Sequence, residues 1–210
     1  MTDHADPADR ADSPDLLAAD VLIVNQKAKL IELTNEYTIR DPQGQVVGSV
    51  RQEGQSKARK VVRALTRFDQ FMSVRLGVYD AGGALVLSLT RPAKLMKSSV
   101  EVADGGGAAV GRIVQQNVIG KIRFGLEDAS GAALGQIRAE NWRAWDFAIL
   151  DPAEREVGRI SKKWAGLGKE LFTTADNYVL EVSDATVSPG MRKLMLAAAA
   201  AIDTALKQNE

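Results

Sequence analysis

The residues of this chain that could do covalent chemistry are few and poorly grouped. There is one histidine, His4, set among acidic residues, and there is no cysteine. A nucleophilic triad needs an imidazole oriented by a carboxylate, and structural zinc needs several His or Cys ligands, so neither class fits. Disulfides, thiol catalysis and palmitoylation are excluded with them. Asp104-Gly105-Gly106-Gly107 is rich in glycine, but no Gly-Lys-Ser/Thr follows and the next residues alternate like a strand, so it is not a phosphate loop. Gly-x-Ser-x-Gly and His-Glu-x-x-His are absent, and no pair of carboxylates is singled out by spacing. The expectation is a protein without covalent activity, not an enzyme, and with no required cofactor.

Charge and aromatic spacing point instead to surface recognition. QSKARKVVRALTRFDQFM (55–72) places Val61, Val62, Leu65, Phe68 and Met72 on one side of a helix, with Lys57, Arg59, Lys60, Arg63 and Arg67 mostly on the other. A basic amphipathic helix can lie on anionic lipid, each cation near the surface contributing about 1 kcal/mol. The plainer reading is a solvated face on a helix packed against the fold. All three tryptophans stand within two residues of a cation: Trp142-Arg143-Ala144-Trp145 and Lys162-Lys163-Trp164. Interfacial anchors have that composition, although tryptophan more often packs within a core. Over the whole chain 27 Lys and Arg balance 27 Asp and Glu, so net charge suggests no nucleic-acid partner and any basic surface must be local.

A hairpin signature written four times must position these groups. The copies are YTIRDPQGQVVGSV (37–50), LGVYDAGGALVLSL (76–89), FGLEDASGAALGQI (124–137) and FAILDPAEREVGRI (147–160). Each alternates apolar and polar residues, turns at an Asp, and alternates again. Three carry Gly three residues after the Asp, where a turn needs a positive φ; Asp151-Pro152-Ala153-Glu154 lacks it. VLIVNQ (21–26), KLIELTN (29–35), SVEVA (99–103), AAVGRIVQQ (108–116) and NYVLEV (177–182) add further strands. Ten to twelve strands joined by short turns must hide their edges, and a closed barrel does so best. The uneven spacing of Asp41, Asp80, Asp128 and Asp151 excludes a propeller or solenoid.

SPGMRKLMLAAAAAIDTAL (188–206) follows the last strand, with Ser188 as N-cap and Pro189 as first helical residue. Met191 to Leu206 spans about 24 Å as a helix, short of the ~30 Å hydrocarbon core of a bilayer. It is apolar nearly all round and thin at Ala197–Ala201, which suits the bore of a barrel better than a membrane. Arg192 and Lys193 oppose the helix dipole at its N-terminus and require tertiary partners; Asp203, near the other end, is expected to meet a Lys or Arg at the barrel mouth. The expected fold is therefore all-β with one central helix: a closed, roughly twelve-stranded antiparallel barrel enclosing a hydrophobic C-terminal α-helix.

The Asp/Ala/Pro-rich residues 1–18 read as a disordered acidic tail rather than a signal peptide. Residues 19–210 read as a single barrel domain with the plug helix at 189–207. The expected place is the cytoplasm, with peripheral association at the inner face of the plasma membrane.

VGRISKKWAGLGKELFTTADNYVLEV (157–182), followed by the SPGMRKLMLAAAAAIDTAL helix, resembles the phospholipid scramblase family within the tubby-like barrel superfamily that includes LURP-type proteins. The resemblance rests on the Gly-Arg-Ile-Ser-Lys-Lys-Trp run, the Phe-Thr-Thr-Ala-Asp-Asn run and the apolar helix with Ile202-Asp203. RLGVYDAGGALVLSLTRP (75–92) matches a further family hairpin. The resemblance implies a twelve-stranded barrel around a central helix and a protein that interacts with membrane phospholipids, moving them between leaflets without hydrolysis. A soluble scaffold or protein-interaction barrel without lipid transport is the alternative. The charge and aromatic spacing give Lys57, Arg59, Lys60, Arg63, Arg67, Lys162, Lys163 and Trp164 as lipid-contacting candidates, with an anionic phospholipid surface as partner. The family resemblance implies a calcium segment at 173–185, with Asp176, Asn177, Glu181 and Asp184 as weak candidates. A twelve-residue loop starting at Thr174 would put Tyr178 at position 5, Val179 in place of the bending Gly and Ala185 in place of the final Glu, so millimolar calcium binding at best is expected.

Overall fold

The computed structural model describes residues 15–26, 36–53, 74–92, 99–117, 123–141, 146–162 and 177–205. Twelve strands close into one barrel. In chain order they are β1 (Val21–Gln26), β2 (Glu36–Arg40), β3 (Val46–Glu53), β4 (Val74–Asp80), β5 (Leu85–Arg91), β6 (Ser99–Asp104), β7 (Ala109–Gln115), β8 (Arg123–Asp128), β9 (Ala133–Asn141), β10 (Asp146–Leu150), β11 (Glu156–Ser161) and β12 (Asn177–Val182). Every strand pairs antiparallel with its neighbours in sequence, and β1 closes on β12 with Val21 opposite Glu181 and Asn25 opposite Asn177. No edge is left to template aggregation. The expected strand at 29–35 and the expected helix at 55–72 lie outside the described residues.

Alternation along each strand sets the inner face. Leu76 and Val78 of β4, Leu87 and Leu89 of β5, Ile113 of β7, Leu126 of β8, Ile137 of β9, Phe147 and Ile149 of β10 and Ile160 of β11 are buried members of one core. The bore they line is filled by α1 (Pro189–Ala205), whose Leu194, Met195 and Ala197 are fully buried and whose Ala198–Ala201 are nearly so. A wider helix would not fit: runs of alanine keep the cylinder thin, and the barrel wall supplies the large aliphatic side chains. Ser188 caps the helix, its Oγ accepting from the Met191 amide at 3.2 Å and its carbonyl from the Arg192 amide at 2.9 Å. The dipole conflict is met as required. Arg192 pairs with Asp20 at 3.1 Å and Lys193 approaches Asp104 at 3.9 Å. The Asp203 side chain lies outside the described part of the helix.

The repeated hairpin carries more than a turn. Five links share one construction, at Asp41, Asp80, Asp104, Asp128 and Asp151. The Asp carbonyl accepts from the amide three residues on, and its own amide donates to the carbonyl four residues on. Its Oδ1 also accepts from the amide four residues on, at 2.8–2.9 Å. Gly44, Gly83, Gly107 and Gly131 take the φ near +80° that this turn needs, and in the fifth link Glu154 takes φ 62°. Six residues after each Asp the register slips, leaving Val47, Val86, Val110, Leu134 and Val157 as β-bulges. Bulges bend a strand over a barrel rim. In three hairpins the next residue is a glycine against an inserted side chain. An added Cβ at Gly48 would lie 2.9 Å from Leu16, at Gly135 2.8 Å from Met191, and at Gly158 2.3 Å from Met195.

Leu16 corrects the expected extent of the tail. It is only 3% exposed and belongs to the core. Around it Asp15 Oδ1 accepts from the Leu17 amide at 2.9 Å, and the Asp15 carbonyl accepts from Ala18 and Ala19. Two leucines among Asp and Ala carry little signal in composition, yet buried Leu16, with Leu17 and Ala19 packed against the core and the local turn bonds, holds the segment from Asp15 against the barrel.

Candidate functional site

Because all the pairs are antiparallel, alternate links fall at opposite ends of the barrel. The five Asp links, the start of β1, the exit of β12 and the N-terminus of α1 share one rim. Residues 15–20, 183–188 and the five links from each Asp to the residue four further on hold nine Asp and Glu against one cation, Arg155. Several of these carboxylates are held below the ordinary aspartate range. For Asp128 the Ser130 hydroxyl is the main cause, with the Ala132 amide next; for Asp151 it is the Arg155 amide; for Asp184 it is the Thr186 hydroxyl. The donors are real and close: Ser130 Oγ lies 2.6 Å from Asp128 Oδ1 and Thr186 Oγ1 2.6 Å from Asp184 Oδ1. Each carboxylate therefore stays ionised in mild acid.

The strand ends that anchor the remaining links stand at the other rim. The strand ends there are Gln26 and Glu36, Glu53 and Val74, Arg91 and Ser99, Gln115 and Arg123, Asn141 and Asp146, Ser161 and Asn177. The six links between those ends carry fourteen Lys and Arg, four Asp and Glu, and all three tryptophans. The inner wall also changes character toward this end. Arg91 continues the inward row of Leu87 and Leu89, Gln115 continues that of Ile113, and both are buried. Gln115 donates to the Asn117 carbonyl at 3.0 Å.

Among the lipid candidates Lys162 is described: its ammonium sits 5.1 Å from the ring centroid of buried Tyr178, a cation–π contact at the mouth of the barrel. Lys57, Arg59, Lys60, Arg63, Arg67, Lys163 and Trp164 lie outside the described residues, as do Trp142 and Trp145. Their links are nonetheless tethered at Glu53 and Val74, at Asn141 and Asp146, and at Lys162 and Asn177, all at this one rim.

The described calcium candidates are spread along and beyond β12. Asn177 is buried on β12 opposite Asn25, and Glu181 stands four residues further along the same strand, about 13 Å away at ~3.3 Å per residue. Burial raises the Glu181 carboxyl, opposed by nearby Arg159. Asp184 lies beyond the strand, with Oδ1 occupied by Thr186. Asp176 lies outside the described residues. Among the described residues no group of three or more His, Asp or Glu could hold a metal ion.

Among the described residues neither rim offers a nucleophile with a base, and the bore between them is filled by α1. A plugged twelve-stranded barrel fits the tubby-like fold, and residues 5–206 match the family model described as Scramblase. The chain belongs to the scramblase family. It is 28% identical over 190 residues to a phospholipid scramblase family protein of Schizosaccharomyces pombe, covering 83% of this chain and 49% of that protein. The chain thus spans about half the length of the curated relative it matches. No solved structure matches. Among the described residues no helix is long and apolar enough to cross a membrane.

The distribution of the two rims could have been read from the sequence only by counting strands, since each added strand reverses the assignment. The bulge and glycine notch have a local signal: Val-Gly or Leu-Gly six and seven residues after the Asp, as in Val47-Gly48, Val110-Gly111, Leu134-Gly135 and Val157-Gly158.

Proposed function

We propose that this chain binds phospholipid membranes peripherally from the cytoplasmic side and acts on lipid without covalent chemistry. The support for the reading is that the links carrying the basic segment 57–67, the Lys162-Lys163-Trp164 run and both other tryptophans all start and end at strand termini on one rim of a family barrel. Cations supply attraction to anionic headgroups, and tryptophan supplies a ring suited to the interface. Movement of lipid between leaflets, the activity suggested by the family name, would have to proceed outside the bore: Leu194, Met195 and Ala197 fill it to full burial. Calcium is a weak contributor in this reading, since its candidate ligands are spread along a strand.

Co-sedimentation with liposomes of graded phosphatidylserine and phosphoinositide content, with and without calcium, tests the reading. Replacing Lys57, Arg59, Lys60, Arg63 and Arg67 by Gln removes up to about 1 kcal/mol per cation, so binding to anionic liposomes is expected to fall by at least one to two orders of magnitude. Unchanged binding refutes the role of that segment. No binding of the wild type to any anionic liposome, together with a stable protein partner in pull-downs, favours the protein-interaction barrel.

A further inference from the structure

We propose that a groove on the outer wall of β5–β8 binds a short aliphatic diamine or polyamine, with one ammonium on Glu101 and another on Asp128. The site uses none of the candidate lipid-binding cations and stands independently of the lipid reading. The groove holds about 350 Å³, within the ~300–1,000 Å³ typical of small-molecule sites. It arises from a break in the hairpin repeat. Beside each Asp turn one outward pair joins the two strands: Arg40 with Val46, Tyr79 with Leu85, Ala103 with Ala109, Glu127 with Ala133, and Leu150 with Glu156. Of these five pairs the third alone is small on both strands. The gap it leaves in the outer wall is the floor of the groove, and the turn from Asp128 to Gly131 forms one side.

Unspent acceptors stand at both sides of that floor. The ladder sets Thr90, Glu101, Arg112 and Glu127 in one row across four strands. Arg112 gives its Nε to Glu127 at 2.5 Å, so those two charges match each other. Among the described residues Glu101 has no hydrogen-bond or ion-pair partner, and neither do the Ser88 and Thr90 hydroxyls that line the groove with it. Across the groove, Asp128 Oδ1 accepts from the Ser130 hydroxyl and from the Ser130 and Ala132 amides, which leaves Oδ2 open. The Ser130 hydroxyl holds this carboxyl below the ordinary aspartate range, so it is charged. Glu101 and Asp128 thus present two uncompensated negative charges. Their backbones lie on β6 and β8, about 10 Å apart at ~4.8 Å per strand, too far to share one ion. Among the described residues no group of three or more His, Asp or Glu could hold a metal. Two ammonium groups joined by methylenes meet both carboxylates and rest their apolar stem on Ala103 and Ala109. An ammonium donates three hydrogen bonds and accepts none, which matches carboxylate and hydroxyl acceptors. No aromatic ring lines the groove to cage a quaternary ammonium, and its two carboxylates repel an anion.

Isothermal titration calorimetry of the full-length protein with putrescine, spermidine and butylamine tests the site. Putrescine is expected to bind saturably, one molecule per chain, and about tenfold or more tighter than butylamine, which lacks the second charged end. Glu101→Gln is expected to weaken putrescine by about tenfold or more at an unchanged melting temperature, since exposed Glu101 has no partner to lose. Ala109→Leu, which fills the exposed floor, is expected to abolish binding. Asp80→Asn is the control, because Asp80 makes the same turn bonds outside the groove and Asn keeps them. Equal weakening by Asp80→Asn and Glu101→Gln shows a diffuse attraction of cations to the Asp-turn rim and overturns the proposal. Equal affinity for butylamine, full binding by Ala109→Leu, or no heat with either putrescine or spermidine overturns it as well. Sedimentation with phosphatidylethanolamine vesicles that is lost in Glu101→Gln, with no heat from putrescine, assigns the groove to a lipid headgroup instead. Binding of the wild type to anionic liposomes is a separate readout, so the failure of one reading is distinct from the failure of the other.

Discussion

Gly158 is where the plug and the wall test each other most directly. A Cβ built there lies 2.3 Å from Met195 Cε and 2.5 Å from the Glu181 carbonyl oxygen. Ordinary carbon–carbon contact is about 3.5–4.0 Å, so the added methyl intrudes by more than 1 Å on the methionine and crowds a backbone atom of the neighbouring strand. The methionine end can swing. The carbonyl is fixed by the β11–β12 ladder, in which Gly158 faces Val182 and Arg159 faces Glu181. Overpacking of this kind costs about 1–3 kcal/mol, and the double intrusion places Gly158→Ala in the upper half of that range. At roughly 2–4 °C per kcal/mol for a chain of this size, the melting temperature should fall by about 4–12 °C. Met195→Ala alone should cost about 2–5 kcal/mol through the cavity it leaves.

The double variant separates notch from accident. With Met195 truncated, Gly158→Ala should cost about 1 kcal/mol or more less than in the wild type, and the remainder reports the Glu181 carbonyl. Urea denaturation followed by far-ultraviolet circular dichroism on all four proteins gives the coupling. Independent sites add within about 0.5 kcal/mol, so additivity at that level would refute the seating of Met195 in Gly158. A neutral Gly158→Ala would refute it more simply. Either result would also weaken the case that the bore is closed to lipid, because that case depends on α1 being keyed to the wall at these glycines.

Two further outcomes are expected. Glu154→Gly should stabilise the barrel by up to about 1 kcal/mol: a non-glycine residue at φ 62° costs roughly 1–2 kcal/mol, whereas the exposed Arg138–Glu154 pair at 2.5 Å contributes well under 1 kcal/mol. A lower melting temperature for that variant would show the ion pair to matter more than the backbone. The second outcome concerns acid. Asp128, Asp151 and Asp184 have folded values below the unfolded one, so the folded state binds fewer protons in the window between them. Their contribution is full above the ordinary aspartate value near 4 and is lost as pH falls through the depressed folded values. Replacing all three by Asn should flatten the acid limb of a stability–pH profile, and an unchanged limb would remove the turn carboxylates as its cause.

The local chemistry of the chain was enough to determine its elements. An Asp followed three residues later by Gly makes its own turn bonds, alternation over six residues makes a strand, and a capped, all-round apolar, alanine-rich run makes a helix that must be buried. Each of those signals lives within a few residues, so the hairpins, the strand at 177–182 and the plug at Pro189 were legible at once. Tertiary structure alone decided what depends on residues far apart. The closure of Val21 on Glu181, the burial of Leu16 in the core, and the seating of Met191 and Met195 on Gly135 and Gly158 each join segments that no local pattern links. The candidate site belongs to the same class. Its cations and tryptophans are spread in sequence over six links, and only the reversal of direction at every strand of a closed antiparallel barrel brings the strand ends that anchor those links to one rim and the Asp turns to the other.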